Sequence, residues 1–131
     1  VFTGMVARPQ LPAVLAAADA CLVHFKRRPI FTTILPSKLF EDAAMAKPIL
    51  LGFEGHAAEL VRTADCGIAF TPEDDEALAA AVERLAGDPT EARRLGENGR
   101  RYVIEHFDRQ RLAHDYLAIL ERVRDTRRRP S

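Results

Sequence analysis

LPSKLFEDAAMAKPILLGF, residues 35–53, decides how the chain folds. Pro36 and Pro48 bracket a segment with helical spacing that opens at Ser37 and runs to about Ala46. A serine at that point can cap the free backbone N–H groups of a first turn. PILLGF (48–53) then reads as a strand, because its apolar residues run on without alternation, as they do where both faces of a parallel sheet are covered.

The same grammar extends in both directions. Upstream, Leu11, Val14, Leu15 and Ala18 recur at helical spacing, and ACLVHF (20–25) is a second continuous apolar run; VFTGMV at the start reads as the end of a strand entering a turn. KRRPIFTTILP (26–36), with two prolines and three adjacent cations, joins run to helix as a loop. Downstream come a Gly-flanked loop, a short helix near Ala57–Ala64 and a third strand over Gly67–Phe70. After an acidic turn from Glu73 to Glu76, Leu78, Ala81, Val82 and Leu85 form one apolar stripe that Gly87-Asp88-Pro89 terminates. A further helix from about Thr90 carries Leu95, Val103 and Phe107, and a last one from about Asp108 aligns Leu112, Tyr116, Ile119, Leu120 and Val123. The expected fold class is α/β: a parallel sheet of three to four strands flanked by helices, with a helical C-terminal extension. The order of the strands is not legible. The domain is expected over residues 1–126 and a basic disordered tail over 127–131.

With 131 residues, 47% apolar and 29% charged, the chain has the composition of an ordinary globular domain. Its 19 basic and 19 acidic side chains cancel, which disfavours general nucleic-acid binding. The charge is unevenly spread: residues 1–53 carry six Lys/Arg against three Asp/Glu, residues 54–107 six against twelve, and residues 108–131 seven against four. The first third is where an anion would be met. No apolar run approaches the roughly 18 residues of a membrane span. Cys21 and Cys66 are far apart and without metal-ligand companions, so they read as buried reduced thiols suited to a cytoplasmic protein. No Cys/His cluster, Gly-x-Ser-x-Gly, Gly-x-Gly-x-x-Gly or Walker loop is present, so no metal, cofactor or catalytic nucleophile is assigned.

In an open parallel sheet, ligands bind beyond the carboxyl ends of the strands, where loops meet helix N-termini. Ser37 and Lys38 fall there: the free N–H groups and the helix dipole attract an anion, and the lysine adds a point charge for a phosphate. Glu41, a turn further in, is placed to accept hydrogen bonds from the vicinal hydroxyls of a sugar or ribose. The alternative is structural, with Glu41 and Lys38 pairing across i, i+3 and Ser37 serving only as a cap.

PSKLFE…A…KP-IL, preceded by LPAVLAAADACLV and followed by GHAAELVRTADCGIAF and DDEALAAAVERLAGDP…RRLGENGRRYV, resembles the C-terminal domain of the GT-B glycosyltransferases of family four. The likeness runs from Gly4 to about Arg122, and the order of its features is more specific than any one motif. It implies a Rossmann-like, partial GT-B C-terminal domain that binds a nucleotide-diphosphate sugar for retaining glycosyl transfer, without a metal, in polysaccharide or glycoconjugate synthesis. The family's Glu-x7-Glu motif puts its second glutamate, on the nucleotide ribose, at Glu41. The first, on the donor sugar, falls at Thr33, and the aromatic that usually follows the second is replaced by Asp42. The acceptor domain and the Arg/Lys pair that neutralises the leaving diphosphate lie upstream in the family. The chain, which begins at Val1, is therefore expected to be a fragment that does not transfer sugar by itself. The resemblance also implies an enzyme at the inner face of the membrane in its full-length form.

Lys26, Arg27 and Arg28 are candidate contacts for the donor diphosphate or a lipid-phosphate acceptor, or else a solvated charge run. The loop from Gly55 to Glu59 approaches the donor in the family. His24 lies at a strand end and reads as packed or solvated, and Arg127–Arg129 are too few to anchor the chain to a membrane. A sheet left open at one side is expected to pair with another copy of the chain, giving a homo-oligomer through the sheet edge. The second reading of the whole chain is a non-enzymatic α/β interaction module that self-associates.

Overall fold

The computed structural model describes residues 4–127. Three parallel strands, β1 (Cys21–His24), β2 (Ile49–Gly52) and β3 (Gly67–Phe70), lie in the order β1-β2-β3, with Cys21 opposite Ile49 and Ile49 opposite Gly67. The helices are α1 (Leu11–Ala17), α2 (Ser37–Ala44), α3 (His56–Thr63), α4 (Asp75–Gly87), α5 (Pro89–His106) and α6 (Arg109–Arg127), with 3-10 turns over Arg8–Gln10 and Pro29–Thr33. The fold class read from the sequence is the one found.

All four residues of β2 are buried, and each face of the strand builds a separate core. Ile49 and Leu51 join Val23, Leu39, Ala43, Ala58, Val61 and Val103 beneath α2, α3 and α5. Leu50, on the opposite face, joins Ala81, Leu85 and Leu95 beneath α4 and α5. Period-two alternation thus turns one continuous apolar run into two layers.

α4 and α5 begin at aspartates that cap them. Asp74 accepts a hydrogen bond from the Ala77 N–H at 2.9 Å, and Asp88 accepts from Thr90 and Glu91 at 3.0 and 2.9 Å, with Pro89 in the first position. α5 then straps the domain. Its Arg100 Nη1 donates to the Ala44 carbonyl at the end of α2 (2.8 Å), and its Arg94 and Asn98 hold Asp65 at the turn after α3.

Several expectations are corrected. Ser37 is not a cap: Pro36, with φ −62° and ψ 131°, occupies the capping position and Ser37 is already helical, so its hydroxyl makes no capping bond. α2 stops at Ala44 and not Ala46, because Ala46 turns left-handed (φ 55°) and its N–H and that of Lys47 bond back to Ala43 and Asp42. Val82 is 46% exposed, so the buried stripe of α4 is narrower than the sequence pattern. The apolar face of α6 is half exposed. The strand end expected over residues 1–6 falls partly on residues 1–3, outside the described residues, and residues 4–6 form no strand. The basic tail expected over 127–131 begins inside α6, and residues 128–131 lie outside the described residues.

α5 approaches α2 closely enough that a Cβ at Gly96 would lie 2.1 Å from the Ala46 carbonyl oxygen, whereas one at Gly87 would meet nothing within 4 Å. Gly96→Ala is therefore expected to cost about 1–3 kcal/mol by forcing backbone apart from backbone. Gly87→Ala should be neutral or stabilise by about 0.4–1 kcal/mol. Urea unfolding of the two variants checks the contrast, and equal effects would refute it.

Candidate functional site

The carboxyl ends of the three strands form one rim, and a chain of contacts among their loops shapes it. The ring of His24 lies over Gly52, where a Cβ would sit 2.2 Å from the ring, and stacks on Phe70 with centroids 6.1 Å apart. Its Nε2 accepts the N–H of Glu73 at 3.0 Å, which requires the neutral tautomer protonated on Nδ1. Glu73 holds a left-handed conformation (φ 65°) and accepts the Arg27 N–H on its carboxylate at 2.9 Å. The Arg27 side chain in turn grips Glu54 with two contacts, Nε to Oε2 at 3.2 Å and Nη2 to Oε1 at 2.9 Å. His24 is thus an exposed residue whose ring ties the β1 end to the loop before α4.

Beneath this rim, Phe25, Phe31 and Phe53 pack as a triangle with centroids 5.1 to 6.3 Å apart, fixing the loop that carries the cations. Gly55 (φ 71°) lets the loop after β2 touch the turn that follows β1, since a Cβ there would fall 2.0 Å from the Thr32 carbonyl oxygen. The Thr33 hydroxyl donates to the Ile30 carbonyl within its own 3-10 turn.

α2 presents the remaining candidates. Ser37, Lys38 and Glu41 are all exposed, and neither Lys38 nor Glu41 makes an ion pair or a side-chain hydrogen bond among the described residues. The i, i+3 pairing that would have made them structural is not formed. Ser37 and Glu41 line an open groove of about 590 Å³ whose other walls include Phe40, Ile104, Phe107 and Leu112, with Asp108 and Arg109 at the start of α6. Lys26, Arg27 and Arg28 line a separate narrow crevice, and Thr33 and Lys38 line neither. The structure therefore joins Ser37 with Glu41 and keeps the basic loop apart. Sequence reading missed the α5 and α6 residues of the groove, because nothing local marks residues so distant along the chain.

Asp42, beside Glu41, faces inward. It is buried, and burial raises its carboxyl above the usual range, while a hydrogen bond from the Cys21 thiol partly offsets the shift. Burial, followed by the charge of Asp42, pushes the Cys21 thiol up to about 12, and burial pushes Cys66 up to about 11. Both thiols are free, buried and protonated at neutral pH, so neither is a nucleophile. Among the described residues no group of three or more His, Cys, Asp or Glu could hold a metal ion, and no helix is long and apolar enough to cross a membrane.

A three-stranded parallel sheet covered by helices on both faces places the domain in the Rossmann-like class of α/β folds. The family model for group 1 glycosyl transferases matches residues 1–88, and the chain belongs to that family, with the architecture of a GT-B C-terminal domain. It is 33% identical over 118 residues to an MMP alpha-(1->4)-mannosyltransferase of Mycolicibacterium hassiacum, covering 86% of this chain and 26% of the relative. It is 28% identical over 109 residues to a GDP-mannose-dependent alpha-(1-6)-phosphatidylinositol monomannoside mannosyltransferase of Mycolicibacterium smegmatis, covering 82% and 28%. Sucrose-phosphate synthase from Thermosynechococcus elongatus superposes with a TM-score of 0.81 at 26% identity, over 95% of this chain and 30% of that one. The chain spans between a quarter and a third of the proteins it matches.

The buried Asp42 carboxyl supplies a pH test. Its folded-state affinity for protons exceeds that of the unfolded chain, so its contribution to stability is present in acid and is lost as pH rises through the raised folded value. Asp42→Asn, neutral at every pH, should gain stability relative to the parent as pH rises from about 4 toward neutrality. Thermal unfolding of both proteins across that window measures the difference; a constant difference would refute it.

Proposed function

We propose that the chain is the donor-binding part of a nucleotide-sugar-dependent, retaining glycosyltransferase. Glu41 accepts hydrogen bonds from the ribose hydroxyls. Lys38 and the N–H groups opened by Ser37 meet the diphosphate, with Lys26 and Arg28 as further cations at the rim. The observation that carries this reading is the contrast on α2 and its surroundings. Glu41 and Lys38 are exposed and uncommitted, while Asp42, Arg27, Glu54 and Glu73 all hold partners within the domain. Arg27 is consequently a weaker candidate for the diphosphate than its neighbours. Residues 1–126 form the donor-side unit on this reading. The names of two relatives, both mannosyltransferases and one GDP-mannose-dependent, favour a hexose donor.

Transfer needs stabilisation of the departing diphosphate and exclusion of water by two walls of a cleft. The acceptor side is supplied by the rest of the enzyme, which we place at the inner face of the membrane, and the chain alone binds nucleotide without transferring sugar. A second reading, a non-enzymatic module that self-associates through the open edge of β1, draws on the Thr33 hydroxyl being held in its own turn and on Leu22 being 52% exposed.

Titrating labelled chain with GDP and with UDP, followed by amide shifts, separates the two. Saturable shifts over residues 37–41 with a Kd near or below about 1 mM, weakened at least about tenfold (~1.4 kcal/mol) in Glu41→Ala, are expected. No response to either nucleotide would favour the interaction module. Sugar transfer by the purified chain would overturn the prediction that it is inactive alone.

A further inference from the structure

His24 is exposed at the carboxyl end of β1, yet its ring is held on two sides. It lies over Gly52 and stacks on Phe70, and its Nε2 accepts the Glu73 N–H at 3.0 Å. Glu73 stands in a left-handed backbone conformation (φ 65°), which residues with a Cβ rarely adopt, and its carboxylate accepts the Arg27 N–H at 2.9 Å. One residue thus carries a connection from the ring to the backbone between Lys26 and Arg28. Those two cations are exposed and make no ion pair among the described residues, so the backbone they leave from sets where they stand.

The ring holds Glu73 in one protonation state only. Accepting at Nε2 requires the neutral tautomer with its proton on Nδ1, so a second proton has to enter at Nε2, the position that the Glu73 N–H occupies. An imidazolium has two donors and no acceptor, and the two N–H groups would then face each other. The charged groups on the loops that meet at the ring are Lys26, Arg27 and Arg28 after β1, Glu54 after β2, and Glu73, Asp74 and Asp75 after β3. Arg27 and Glu54 hold each other and Asp74 caps α4, whereas Glu73 bonds the ring.

We propose that His24 is a positioning residue of the donor rim: as the neutral imidazole it holds Glu73, and through Glu73 the backbone that carries Lys26 and Arg28, so that taking up a proton at Nε2 loosens both cations and weakens the hold on a diphosphate. The inference rests on the donor-binding reading for what the cations meet, while the connection from ring to loop stands apart from it. The sign of the effect separates this latch from simple electrostatics. By charge alone a protonated ring at the rim would draw an anion in, whereas the latch lets it go.

NMR of the labelled full chain between about pH 8 and about pH 5.5, the range in which histidine side chains as a class change charge, tests both parts. Without ligand, the ring should carry its proton on Nδ1 at the upper pH, and the Glu73 and Arg27 amides should shift together with the ring as it is protonated. GDP-mannose and UDP-glucose, whose diphosphates do not titrate in this range, then report binding. The parent Kd for the one that binds should rise at least about threefold in acid, as expected for loss of one modest hydrogen bond. His24→Gln keeps an acceptor and takes up no proton, so it should bind alike at both pH values. His24→Phe keeps the ring over Gly52 and has no acceptor, so it should bind weakly at both. Amides that do not follow the ring, a Kd that is constant or falls in acid, or a His24→Phe variant as tight as the parent at the upper pH would overturn the proposal. So would a pH dependence that survives in His24→Gln, which would assign it to His56 at the start of α3 or to the buried Asp42. If neither nucleotide sugar binds at the upper pH, the donor-binding reading fails and the ligand part of the proposal with it, and the amide shifts alone decide the latch.

Discussion

β2 is the constraint on which the rest of this structure depends. A four-residue strand with no exposed position must be covered on both faces, which demands a neighbour strand on either side and helices above and below. β1 and β3 satisfy the first demand in strict register, and α2, α3, α4 and α5 the second. The demand weakens toward β1. α4 packs on β2 and β3, whereas Leu22 of β1 is half exposed. The rim that carries the candidate site is a by-product of this geometry, since three parallel strands deliver three loops and three helix starts to the same end.

Backbone proximity, more than side-chain packing, fixes how those loops sit. Gly55 against the Thr32 carbonyl is a contact that no side chain could replace, and Gly52 leaves room for the rings of His24 and Phe70. They let the Arg27, Glu54, Glu73 and His24 contacts link the ends of all three strands. The linkage has a functional consequence: it consumes the charges that belong to the frame and leaves others unspent. A guanidinium held at two points by a carboxylate is poorly suited to receive a ligand, whereas an ammonium on an exposed first turn is free to do so.

Much of this frame was legible in the sequence because apolar periodicity is a local signal. The three strands fall where continuous apolar runs stand. The errors share a cause, which is competition that a local reading does not resolve. Ser37 has the chemistry of a cap, but Pro36 already has the extended conformation that the position requires. Val82 fits the stripe of α4, but it is 46% exposed. The groove beside Glu41 was illegible for a different reason: Ile104, Phe107 and Leu112 reach it only through the packing of α5 on α2, a contact set by Gly96 and Gly99 at long range. Glu41 itself was singled out only through its place in a motif, since composition alone favours a surface ion pair.

The unspent charges on and near α2 argue about ligand chemistry. Lys38, with Lys26 and Arg28 of the basic loop, favours an anion, yet Glu41 stands a turn away from Lys38 with no side-chain partner among the described residues. An inorganic phosphate alone would be repelled by that glutamate, and a neutral polyol would have no use for the lysine. A ligand carrying anionic oxygens at one end and adjacent hydroxyls at the other satisfies both, with the hydroxyls donating to the carboxylate and the oxygens accepting from ammonium and helix N–H groups. The order matters as well: the cation precedes the acid along α2, so the anionic end belongs toward the start of the helix, where the dipole also favours it. This polarity is what the proposed donor reading requires, and it follows from the pattern of committed and uncommitted side chains.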